Sequence, residues 1–131
     1  MIGIDTNVLV RYIAQDDPAQ SRRATSFIEN ECSEAAPGFV GLVVLVEVVW
    51  VCESTYGAAK VEVADIVRRI LSIRQLVVQD SETAWKALRL FESSKTDFAD
   101  CLVAHSAIAS GCKGVVTFDR RAAKSGMTLL K

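Results

Sequence analysis

Residues 39–52 read FVGLVVLVEVVWVC, a run of fourteen in which Glu47 is the only charge. A run this apolar is either a membrane-crossing helix or the inside of a folded domain. Crossing needs about 20 apolar residues, and an acid near the middle adds roughly 2.5–3.5 kcal/mol to insertion. The run is too short and carries the wrong residue. It divides instead at Gly41. Phe39 and Val40 end a short strand entered through Pro37-Gly38, and a core helix runs from about Leu42 to Ser54. One question is left over. The helical neighbours of Glu47 are Val43, Val44, Trp50 and Val51, and none of them pairs with a carboxylate. Burying an unpaired charge is costly.

The same strand-then-helix alternation extends in both directions. "MIGID" is a buried strand, with "TNVLVRYIAQ" directly behind it. In "DDPAQSRRATSFIENECSE", Asp17 is the N-cap, Pro18 takes the first helical position, and Ala24, Phe27 and Ile28 share a face. "TYGAAK" is a break, and "VEVADIVRRILSI" places Val63, Ile66, Val67 and Ile70 together. "LVVQD" is a third strand. "SETAWKALRLFESSK" opens on Ser81 and carries the stripe Trp85, Leu88 and Phe91. "TDFADCLVAHSAIASG" is a helix closed by Gly111. "GVVTFD" is a fourth strand, "RRAAKSG" a helical turn and "MTLL" a fifth strand. Short, continuously apolar strands alternating with helices predict an α/β domain, its parallel sheet of four to five strands covered on both faces. That makes three α/β/α layers.

Length and composition agree with this. The chain has 131 residues, 50% hydrophobic and 24% charged, which fits a single globular domain over 1–131. The net charge of −1 excludes nucleic-acid binding by bulk charge, so a local patch or a metal must attract any such substrate. Cys32, Cys52, Cys101 and Cys112 show no C-x-x-C spacing and read as buried, reduced thiols rather than a zinc site. The opening "MIGIDTN" has no basic n-region or apolar h-region. The expected location is therefore the reducing cytoplasm, with no membrane association.

The chemistry lies in the acids. Asp5 ends the first strand and Asp119 the fourth, Glu47 lies early in the helix after the second, and Asp97 and Asp100 open the helix before the fourth. Ligands of an open parallel sheet bind beyond the carboxyl ends of its strands. Five carboxylates are thus expected to converge there. Like charges persist as an ionised cluster only around something positive. Oxygen donors of this kind suit Mg²⁺ or Mn²⁺, which points to metal-assisted hydrolysis of a phosphodiester.

Each acid also has an ordinary role open to it. Asp5 suits an N-cap, Asp97 and Asp100 have capping-box spacing with Asp97 as the cap, Asp119 suits a turn, and Glu47 suits an ion pair with Arg11. Thr6, Asn7 and Thr117 are placed to hold a water or a phosphate oxygen, or simply to cap helices. Arg11, and the basic patch Arg120, Arg121 and Lys124 beside Asp119, are the candidate RNA-backbone contacts, with a solvated helix face the ordinary role open to the patch. His105, the only histidine, has packed neighbours at helical spacing and reads as structural. Trp50, Trp85 and Phe91 read as core or interface.

Four stretches, "MIGIDTNVLVRYIAQDDPAQ", "GLVVLVEVVWVCESTYG", "DFADCLVAHSAIASGC" and "GVVTFDRRAAK", together resemble the PIN-domain ribonucleases of the VapC toxin type, in order and along nearly the whole chain. The resemblance implies a PIN fold of strand order 3-2-1-4-5. It also implies that Asp5, Glu47, Asp100 and Asp119 form an acidic quartet holding Mg²⁺ or Mn²⁺. Thr6 and Asn7 fall in the family's D-T-N segment, and Asp97 lies outside the quartet. Further implications are an RNA substrate whose cleavage stops translation, a homodimer, a VapB-like antitoxin laid over the active site, and DNA contact only through that antitoxin. Cys101 stands where a small alanine is frequent.

Two other classes compete with this reading. An aspartyl-phosphate phosphatase would need D-x-D where this chain has Asp5-Thr6-Asn7, and a receiver-like domain would need an acid adjacent to Asp5. A non-catalytic PIN-fold binding module has no need of the quartet.

Overall fold

Asp17 and Pro18 do at the start of their helix what their residue types dictate. The carboxylate of Asp17 accepts the Gln20 N–H at 3.0 Å, and Pro18 occupies the first turn. Such local rules account for most element boundaries in the computed structural model, which describes residues 1–131. The chain forms two compact units, Met1–Ser81 and Glu82–Lys131.

In the first unit the elements are β1 (Ile2–Gly3), α1 (Thr6–Ala14), α2 (Pro18–Ser26), β2 (Gly38–Val40), α3 (Leu42–Ser54), α4 (Lys60–Ser72) and β3 (Leu76–Val78). The strands pair in parallel in the order β1-β2-β3, with Ile2 beside Gly38 and Gly38 beside Leu76. Gly38 is dictated by packing. A Cβ there would run into the side chains of Ile4 and Leu76. The core is built from Leu9, Ile28, Val40, Leu45, Val67 and Ile70, all fully buried. α1 packs on α2 and α3, and α3 on α4.

Two features depart from the sequence reading. The helix expected through Phe27 and Ile28 ends as a π turn, Phe27–Glu31, closed by the Cys32 N–H on the Phe27 carbonyl at 2.9 Å. The wider turn seats Ile28 in the core while Phe27 stays partly exposed. And α3 is not a helix buried all round. Leu45, Val48, Val49 and Cys52 are buried, whereas Val43 and Trp50 are 74% and 65% exposed. Gly41 offers no side chain to cap α3, and a distant group takes the role: Gln79, just past β3, accepts the Leu42 N–H at 3.0 Å.

The second unit holds most of α5 (Ser81–Ser93), with α6 (Phe98–Ala109), β4 (Val116–Thr117), α7 (Arg120–Ala123) and β5 (Thr128–Leu129). β4 and β5 pair in parallel, Val116 beside Thr128. Phe91 and Phe98 meet edge to face, 6.0 Å between ring centroids. Gly111 ends α6 at φ +93°, a conformation that costs glycine nothing. Sheets of three and two parallel strands thus carry the two ends, 3-2-1 and 4-5, of the expected order. Of the cysteines, Cys32, Cys52 and Cys101 are buried and free as expected, but Cys112 is exposed, since it lies beyond the end of α6. No helix is long and apolar enough to cross a membrane.

Candidate active site

The first unit presents Asp5 immediately after β1. It is the N-cap of α1, its Oδ1 accepting the Thr6 N–H at 2.8 Å. Capping and ligand roles are compatible here, because one carboxylate oxygen satisfies the helix end. Thr6 is buried to 7% exposure, and its hydroxyl donates to Glu47 Oε1 at 3.0 Å across 41 residues of sequence. That bond answers the question raised by the apolar run. Glu47 is exposed, not buried, and leaves α3 on the same side as Val43 and Trp50. Its partner is the hydroxyl next to Asp5. It does not pair with Arg11, which binds Asp16 (3.3 Å) and Gln20 (2.7 Å) instead.

Asn7 is exposed and faces a cleft of about 560 Å³ that also touches Asp5, Arg11, Gln20, Arg23 and Phe27. Gln20, Arg23 and Phe27 were not singled out from sequence. An arginine in "SRRAT" and a phenylalanine on a helical stripe carry no spacing that marks a cleft, and the π turn that exposes Phe27 has no sequence signature.

The second unit presents the other acids. Asp97 caps α6 as expected, accepting the Asp100 N–H at 2.8 Å. Asp119 caps α7 through the Arg121 N–H at 2.8 Å, and its own N–H donates to Thr117 Oγ1 at 3.0 Å. Asp100 is partly buried. Burial first, then the negative charges of Asp97 and Asp119, push its carboxyl above the ordinary aspartate range, against a smaller opposing effect of Arg121. These three acids are therefore electrostatic neighbours, with a guanidinium among them. Arg120, Arg121 and Lys124 are exposed on and beside α7. His105 is partly buried, and its pKa is lowered by burial and by Lys86 and Arg89.

No three or more His, Cys, Asp or Glu side chains are drawn tightly enough together to form a metal cage by themselves. Mg²⁺ does not require one. It is commonly held by one or two carboxylates, several waters and substrate phosphate oxygens. The donors are of the right kind: both units offer carboxylate and hydroxyl oxygens, and the first adds the amide of Asn7.

Two comparisons with known proteins found matches along the chain. The family model described as PIN domain matches residues 2–126. A curated protein of Aquifex aeolicus (strain VF5), named VapC ribonuclease, is 27% identical over 123 residues, covering 94% of this chain and 90% of its own.

Proposed function

The chain belongs to the PIN-domain family, and on that premise we propose that it is a metal-dependent endoribonuclease, the toxin of a VapBC-type pair that acts on translation by cutting RNA. Its similarity to a VapC ribonuclease along 94% of its length supports the reading. The observation that carries it is the Thr6–Glu47 hydrogen bond, which ties an α3 carboxylate to the residue that follows the capping Asp5.

In this proposal Asp5, Glu47, Asp100 and Asp119 hold Mg²⁺ or Mn²⁺, the whole chain is one PIN domain, and its sheet has the order 3-2-1-4-5. When bound, the cation supplies Lewis-acid stabilisation of charge on the phosphodiester. The chain's own groups prepare the surroundings. Thr6 limits the rotamers of Glu47, and Asn7 offers an amide to a phosphate oxygen. Asp97 and Thr117 hold the backbone at Asp100 and Asp119, and Arg121 tempers the repulsion there. Arg11, Arg120, Arg121 and Lys124 bind the RNA backbone. The proposal extends to a VapB-like antitoxin as partner, with DNA reached only through it, to a cytoplasmic location, and to a homodimer formed over the exposed Val43–Trp50 face of α3.

Cleavage of a single-stranded RNA by the purified chain tests the reading. Activity is expected with Mg²⁺ or Mn²⁺ and not with EDTA. Asp5→Ala and Asp100→Asn should each lower it about a hundredfold or more, as loss of several kcal/mol of charge stabilisation requires. Full activity in either variant, or in EDTA, refutes the assignment.

A further inference from the structure

The cleft beside Asp5 is walled by α1 on one side and by α2 with its π turn on the other. Its two cations differ. Arg11 is tied down by Gln20 and by Asp16, whose other oxygen accepts the Tyr56 hydroxyl at 2.8 Å. Arg23 is exposed and enters none of the ion pairs. Phe27 adds a partly exposed ring, and Asp5 is the only acid in the wall.

We infer that this cleft is the subsite for a nucleotide flanking the scissile phosphodiester of single-stranded RNA, with Arg23 on a backbone phosphate and Phe27 stacked on a base. The inference rests on the ribonuclease reading above. Three observations favour RNA over a protein segment. A chain of net charge −1 must find phosphate with local cations, and Arg23 is a cation with nothing else to do. An aromatic ring within reach of an arginine is how single strands are held without base pairing. And the cleft begins at the carboxylate proposed to act on the phosphodiester. Arg11, its charge shared with Asp16, is the weaker of the two backbone contacts in this wall. Stacking requires an unpaired base, so the subsite selects single strands over duplex.

The test measures binding of a short fluorescein-labelled single-stranded RNA by anisotropy, with Mg²⁺, in an Asp100→Asn chain that binds without cutting. Arg23→Ala should weaken binding about three- to tenfold and lower the slope of log K against log salt by about 0.7. Arg23→Lys should keep the slope. Phe27→Ala should weaken binding roughly five- to a hundredfold with the slope unchanged, and should not alter binding of the matching duplex. Arg23 is exposed, so its variants keep the fold and carry the test even if Phe27→Ala lowers the melting temperature. The parental Asp100→Asn chain binding RNA while Arg23→Ala binds equally well overturns the subsite. If the otherwise unchanged chain also cuts RNA with Mg²⁺ and its Arg23→Ala and Phe27→Ala forms cut at the same rate, the subsite falls alone and the cleft is left to a protein segment. No cutting by the unchanged chain overturns the ribonuclease reading itself.

Discussion

Replacing Thr6 by Val separates holding the fold from holding Glu47. The Thr6 hydroxyl is buried and donates to Glu47 Oε1 at 3.0 Å. A hydrogen bond to a charged group contributes about 1.5–3 kcal/mol in general. Glu47 is exposed, so water takes over the lost bond. Val has the same shape as Thr and leaves no orphan donor, so Thr6→Val should cost about 1 kcal/mol of stability or less. Its effect on catalysis should be larger in proportion. A freed glutamate regains rotamer entropy of about 0.5–1.5 kcal/mol. At about 1.36 kcal/mol per decade this lowers the single-turnover cleavage rate roughly two- to twelvefold. Thr6→Ser, which keeps the hydroxyl, should retain most of the rate. The decisive measurement is a double-mutant cycle with Glu47→Ala, read by Mn²⁺-supported cleavage of single-stranded RNA. Without the carboxylate Thr6 has nothing to hold, so adding Thr6→Val should change nothing further. An equal loss in both backgrounds would show that Thr6 acts elsewhere. An unchanged rate in Thr6→Val alone would remove Glu47 positioning from the mechanism.

Asp100→Asn should raise the melting temperature of the metal-free chain near neutral pH even as it stops cleavage. The folded-state pKa of Asp100 is raised above its ordinary 3.8, so the stability linked to its protonated form is present below that value and lost as pH rises through the raised folded pKa. The gain should therefore grow from about pH 4 upward and vanish below it, as followed by calorimetry in EDTA. A variant less stable than the parent at pH 7 contradicts this. Gly38→Ala should cost about 1–3 kcal/mol in urea unfolding, because the new Cβ forces Ile4 and Leu76 aside at the centre of the three-stranded sheet. A neutral result would mean the sheet relaxes freely there. Ser21 is 3% exposed with no partner for its hydroxyl, so Ser21→Ala should raise stability by about 1 kcal/mol, and a loss of stability would reveal a partner for that hydroxyl.

The elements were legible because their signals are local. Strand β1, the Asp17-Pro18 start of α2, the break before α4, the Asp97 cap and the Gly111 stop each depend on a few adjacent residues. So did the roles of Asp5 and Asp119 at strand ends, where capping geometry follows from position. What failed was the placing of Glu47 in the interior, since the side of α3 that carries it is exposed. α3 is apolar around most of its surface, and hydrophobicity alone does not say which side meets the core.

The sequence by itself determined the α/β class, the element order and which acids stand at helix starts, because periodicity, caps and turn residues act over a few positions. Only the tertiary structure decided that Glu47 answers to Thr6 across 41 residues, that Gln79 caps α3, and that Arg23 and Phe27 line the cleft beside Asp5. Those relations come from packing β1, β2 and β3 side by side and α2 against α1. A residue's neighbours in space are then set by the whole arrangement, which no local pattern encodes.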